Sequence, residues 1–127
     1  MSITGIILAG GLARRMGGVD KGLIPFLGKS MIAHVIDELK PQVADILINA
    51  NREIDQYQSF GFPVIQDTIE DFAGPLAGLY TGMKHAQTEF VLSVPCDSPL
   101  LPNNLAIHLM AALQTNNADI AIVKTGQ

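Results

Sequence analysis

Apolar residues along the chain fall into short bunches of two kinds, and the kinds alternate. Ile3 to Leu8 is a β-branched run soon followed by Gly10-Gly11, the mark of a buried strand. Ser30 to Lys40 instead carries Met31, Ile32, Val35, Ile36 and Leu39 at helical spacing, and Pro41 ends it. Asp45 to Asn49 and Pro63 to Gln66 then read as strands, with a short helix over Glu53 to Ser59 between them. Pro75 to Gln87 reads as a helix, Phe90 to Val94 as a strand, Asn104 to Gln114 as a helix and Asp119 to Val123 as a fifth strand. Strand and helix alternating in this way predict βα units and an α/β fold: three α-β-α layers around a mainly parallel sheet.

In such sheets ligands bind outside the carboxyl ends of the strands. The segments Gly10 to Lys21, Asn49 to Arg52, Asp67 to Thr68 and Pro95 to Pro99 should therefore converge on one edge. Taken singly, each could also be ordinary surface turn chemistry.

Composition narrows the classes. The 127 residues suit a single domain, and 48 % of them are hydrophobic against 16 % charged, enough for a real core. No apolar run approaches the roughly 18 to 20 residues of a membrane span, so no membrane partner is expected. The start, MSITGIILAG, lacks the basic segment of a signal peptide. One cysteine, Cys96, leaves no internal disulfide and fits a reducing compartment, so a cytoplasmic protein is expected. Cys96 itself reads as a small buried apolar side chain. A net charge of −4 argues against nucleic acid as a partner.

Against that acidic background, LAGGLARRMGGVDKG (residues 8–22) gathers five glycines with Arg14, Arg15 and Lys21. Local positive charge on a negative chain suits a small anionic ligand. The stretch lacks the G-x-G-x-x-G of dinucleotide sites. GLIPFLGKS (residues 22–30) misses the P-loop spacing by one residue, contains Pro25 and follows no evident strand. Gly28-Lys29-Ser30 reads as a turn and helix N-cap. The Leu8-Ala9-Gly10-Gly11 segment, by contrast, leaves backbone N–H groups open to an anion. Arg15 offers a planar fork and Lys21 a mobile charge for phosphate oxygens, and Gly17-Gly18 would let the chain fold back toward the same ligand.

LAGGLARRMGGVDKGLIPFLGKSMIAHVI resembles the N-terminal signature of nucleotidyltransferases, L-A-G-G-x-x-x-R-M-G. Its M-G-G-x-D-K-G form resembles the molybdenum cofactor guanylyltransferases. ILINANR (46–52), VIQDTIEDFAGPLAGL (64–79) and VPCDSPLLP (94–102) match that family in order and spacing. The resemblance implies a Rossmann-like fold of the nucleotide-diphospho-sugar transferase type. It also implies transfer of GMP from GTP to molybdopterin with release of pyrophosphate. By the same resemblance Leu8, Ala9, Gly10, Gly11, Gly18, Lys21, Asn49, Asp67, Gly74, Gly78 and Asp97 bind the nucleotide. Arg15, Lys21 and Asp97 serve catalysis, and Asp97 holds Mg2+.

A carboxylate at Asp97 suits Mg2+, which needs only one or two from the protein, although an Asp beside proline is commonly a turn residue. Asp67 could accept paired bonds from guanine and Asn49 could bridge base or ribose; the sequence leaves open which of them meets the base. Gly74, Gly78 and Gly82 recur along one helix face, which implies close approach by the nucleotide or by a sheet strand. His34, His85 and His108 show no ligand spacing. Family members run longer, so residues 1–127 are expected to be the GTP-binding N-terminal part of a longer fold. Implied partners are GTP, molybdopterin and, transiently, molybdoenzymes or cofactor-delivery proteins. The alternatives are a sugar-phosphate or molybdopterin cytidylyl transferase, or a GTP-binding module without turnover.

Overall fold

The computed structural model describes residues 2–9, 15–16, 19–67, 75–98 and 100–116. The expected strand at Asp119–Val123 and the glycines Gly10, Gly11, Gly17, Gly18 and Gly74 lie outside the described residues.

Strand β1 (Ile3–Leu8) is buried along its whole length, as its unbroken apolar run requires. It runs parallel between β6 (Asp45–Asn49) and β8 (Phe90–Pro95), with β7 (Val64–Ile65) beyond β6. The sheet order is therefore β7-β6-β1-β8. From β1 the chain steps outward twice on one side and then crosses to the other, so the order reverses between β1 and β8. A crevice at such a reversal is where this class of sheet takes its ligands.

Alternate residues of β1 face opposite layers. On one face, Gly5 lies under α1 (Met31–Leu39); a Cβ there would stand 2.7 Å from Leu39 Cδ2. Ile3 and Ile7 share that face and join a core with Ile32, Val35, Leu39 and Tyr57, the last from α2 (Ile54–Gln58). Helix α4 (Leu105–Asn116) adds Leu105, Ala106 and Met110 to the same core. Gln42 ties it down, donating to Pro102 O at 2.9 Å and accepting from Ala106 N at 2.8 Å. On the other face, Ile6 and Leu8 meet α3 (Pro75–His85). A Cβ on Gly82 would collide with Ile6 Cδ1, and one on Gly78 would stand 2.7 Å from Leu8 Cδ2. The expected three layers are present. At Gly82 the glycine stripe answers to a sheet strand.

Two small hairpins interrupt the path from β1 to α1. In the first, β2 (Arg15–Met16) pairs antiparallel with β3 (Val19–Asp20). That pairing is the fold-back expected around Gly17-Gly18. A 3₁₀ turn then covers Lys21–Leu23. Contrary to the sequence pattern, a short strand, β3, leads toward Gly22. It feeds a buried turn and not a phosphate loop, since a Cβ on Gly22 would stand 3.0 Å from Cys96 Cβ. In the second hairpin, β4 (Pro25–Phe26) pairs with β5 (Lys29–Ser30). Leu27 and Gly28 between them have φ of 49° and 92°, the all-positive pair of a type I′ turn. Ser30 does occupy the N-cap of α1, but with no side-chain capping bond.

The histidines behave as ordinary boundary and surface groups. His34 bonds Phe26 O and meets the Phe26 ring edge-on at 5.5 Å, while His85 bonds Thr81 O at 2.9 Å. Among the described residues, no helix is long and apolar enough to cross a membrane.

Candidate nucleotide site

Register places the strand ends side by side. Leu8 pairs with Asn49 on one flank and Pro95 on the other, and Asn49 pairs with Ile65. The ladder continues one step beyond: Ala9 N donates to Asn49 O at 2.8 Å, Ala50 N to Ile65 O at 3.1 Å and Cys96 N to Leu8 O at 3.2 Å. Leu8, Ala9, Asn49, Asp67 and Asp97 therefore share the carboxyl edge of the sheet. Arg15 lies in β2, opposite Asp20, and Lys21 follows directly as the first, half-buried residue of the 3₁₀ turn.

The contact of Gly22 with Cys96 joins two of these parts. Lys21 and Asp97 each lie one residue from that contact, beside the end of β1 and at the reversal of strand order. Cys96 is fully buried there, in the packing role its sequence context suggests.

Asp20 anchors this corner. Its carboxylate is 1 % exposed; Arg52 Nε and Nη2 both stand 3.1 Å from Oδ1, and the Tyr57 hydroxyl donates to Oδ2 at 3.3 Å. Burial pushes the Tyr57 phenol far above its ordinary pKa. The charges of Cys96 and Asp20, then the bond to Asp20, add to the shift, and Arg52 opposes it. Tyr57 thus remains a donor. None of these three was singled out from the sequence. A lone acid inside a basic stretch, and an arginine just past a strand end, were the available signals.

The second cluster surrounds Asp67. Asn49 is 3 % exposed, and its Nδ2 donates to Asp67 Oδ1 at 2.8 Å and to Ile65 O at 3.2 Å. Gly78 presses on it from α3, since a Cβ there would collide with Asn49 Oδ1. Thr81 Oγ1 reaches Asp67 Oδ1 at 3.4 Å. Asn51 Nδ2 donates to Asp67 Oδ2 at 2.8 Å, and the Asp67 N–H donates to Asn51 Oδ1 at 2.8 Å. Asn51 lies in the 49–52 segment expected at this edge but had no role of its own there, and Thr81 was not expected at all. Asn49 is a buried support, whereas Asp67 is half-buried and nearer the surface.

For a cation, Asp97 offers a hard oxygen donor. Among the described residues no group of three or more His, Cys, Asp or Glu could hold a metal without other ligands. A divalent cation that takes one protein carboxylate and completes its shell with phosphate and water suits that donor set. A separate cavity of about 530 Å³ opens at the opposite edge of the sheet, around Thr4, Asp45 and Phe62, away from these residues.

The MobA-like NTP transferase domain model matches residues 5–127. The chain belongs to the MobA-like NTP transferase family. It is 52 % identical, over its whole length, to a protein named molybdenum cofactor guanylyltransferase from Shewanella sp. (strain MR-4), of which it covers 64 %. It is 53 % identical over 97 % of its length to the protein of that name from Ralstonia pickettii (strain 12J), covering 60 % of it. The chain thus spans about three-fifths of these curated relatives. Solved structures share the fold. A CMP:2-keto-3-deoxy-manno-octonic acid synthetase complexed with CTP superposes with a TM-score of 0.70 at 21 % identity, over 92 % of this chain and 48 % of that one. A 4-diphosphocytidyl-2C-methyl-D-erythritol synthase from Anaerococcus prevotii DSM 20548 gives 0.68 at 15 % identity, over 89 % and 51 %. The likeness shows a shared α/β fold, a parallel central sheet flanked by helices.

Proposed function

We propose that residues 1–127 form the guanine-nucleotide half of a molybdenum cofactor guanylyltransferase. The reaction is attack of the terminal phosphate of molybdopterin on the α-phosphorus of GTP. A new P–O bond forms, the α–β bridge breaks, and pyrophosphate leaves. Such a transfer asks for alignment and charge neutralisation more than covalent participation. The observation that carries the reading is the Gly22–Cys96 contact at the strand-order reversal, next in sequence to Lys21 on one side and to Asp97 on the other. Main-chain N–H groups after β1 (Gly10 and Gly11) cradle the phosphates. Lys21, with Arg15, offsets charge on the phosphates and the departing pyrophosphate. Asp97 holds Mg2+, which when bound supplies Lewis-acid neutralisation of phosphate oxygens. Asp67 faces the base, supported by Asn49. The names of the relatives support GTP and molybdopterin as substrates. A cytoplasmic setting and transient contact with molybdoenzymes or delivery proteins accord with that role.

Calorimetric titration of this chain with GTP, CTP and ATP, with and without Mg2+, tests the reading. GTP should bind at least about tenfold tighter than the others, and Asp97→Asn should weaken GTP only when Mg2+ is present. Equal affinities would overturn it. Pyrophosphate release from GTP with molybdopterin present then decides whether this chain completes the reaction or supplies its nucleotide half.

A further inference from the structure

Among the described residues the paired ladder of β6 and β7 has one more bond beyond Asn49 and Ile65, Ala50 N to Ile65 O. Past that point a side chain takes over. Asn51 uses its carboxamide as a strand would use its peptide, donating to Asp67 Oδ2 and accepting from the Asp67 N–H, both at 2.8 Å. The reciprocal pair fixes the main chain and the side chain of Asp67 at once. Yet Asn51 is exposed, so stabilising a core is not its purpose.

A carboxylate has about four lone-pair positions. At Asp67, Asn49 and Thr81 address Oδ1 and Asn51 addresses Oδ2. Among the described residues all three side-chain donors are neutral. Among the described residues no other donor reaches Oδ2, so one lone pair there faces an incoming donor, its direction set by the Asn51 bond to the same oxygen. An anionic acceptor of fixed direction repels a triphosphate and selects an N–H edge, such as the ring N–H or amino group of guanine.

We infer that Asn51 is a positioning residue for base selection: its clamp on Asp67 aims the carboxylate at the purine edge. The inference rests on the reading of this edge as a GTP site. The test is titration of unsubstituted chain, Asn51→Ala and Asn51→Asp with GTP, CTP and inorganic tripolyphosphate. Urea unfolding of each variant is measured alongside. Asn51→Ala should weaken GTP about tenfold, leave tripolyphosphate within about twofold and narrow the GTP-to-CTP ratio. Asn51→Asp, which sets a second carboxylate against Asp67, should lose at least as much GTP affinity. Retained GTP preference in Asn51→Ala, or an equal loss of GTP and tripolyphosphate with early unfolding, would overturn the inference alone. An unsubstituted chain that binds GTP no better than CTP would instead overturn the reading of the site, and the inference with it.

Discussion

Arg52 reaches back 32 residues to Asp20 and sets both Nε and Nη2 3.1 Å from one carboxylate oxygen. The link ties the loop after β6 to the hairpin that precedes Lys21. Asp20 is almost wholly buried while Arg52 keeps part of its side chain in water. Removing the cation strands a charge that water cannot reach, which is the expensive way to break such a pair. Arg52→Ala should therefore destabilise the chain by about 3 kcal/mol in urea unfolding. Adding Asp20→Asn should recover part of that loss, because the stranded charge disappears. Strictly additive losses would show that the pair contributes nothing as a pair.

Tyr57 completes that corner, and its burial has a consequence for pH. The folded chain holds the phenol protonated well above its ordinary range, so folding binds a proton that the unfolded chain releases. The associated stability is fully present below about pH 10, the unfolded value for tyrosine, and falls as pH rises beyond it. Urea midpoints measured from neutral pH upward should decline above about pH 10, and Tyr57→Phe should flatten the decline. At neutral pH the same substitution should cost about 1 to 2 kcal/mol through the lost bond to the Asp20 carboxylate. Identical alkaline profiles for both chains would contradict the assignment.

Gly78 and Gly82 sit one turn apart on α3, yet their replacement should have different effects. Gly82→Ala drives a methyl into the buried Ile6 side chain, with Cγ1 2.8 Å away as well as the colliding Cδ1. Overpacking of about 1 to 3 kcal/mol should outweigh the gain of roughly 1 kcal/mol in helix propensity, lowering the urea midpoint. Gly78→Ala pushes on Asn49, and through it on Asp67. It should reduce GTP affinity several-fold while tripolyphosphate binding holds. GTP affinity lost in Gly82→Ala and kept in Gly78→Ala would reverse the structural account.

The elements themselves were legible because their signals are local. The buried run Ile3–Leu8 and the strand Asp45–Asn49 have the limits their apolar pattern predicts, and α1 and α3 differ from expectation by one or two residues at their ends. Periodicity and proline record what a segment does with its own neighbours. The family was legible in the LAGG and PCDSP segments for the same reason, since glycine and charge show in the string.

The sequence by itself determined the alternation of strand and helix, the parallel sheet, and the family. The tertiary structure alone decided that Asn49 is a buried support, that Asp67 is held by Asn51, and that Asp20 belongs to Arg52 and Tyr57. Each of those roles depends on a hydrogen-bond partner 16 or more residues away. A side chain's periodicity carries no record of such a partner; only burial, which removes water as the alternative, makes the partner obligatory and the role definite.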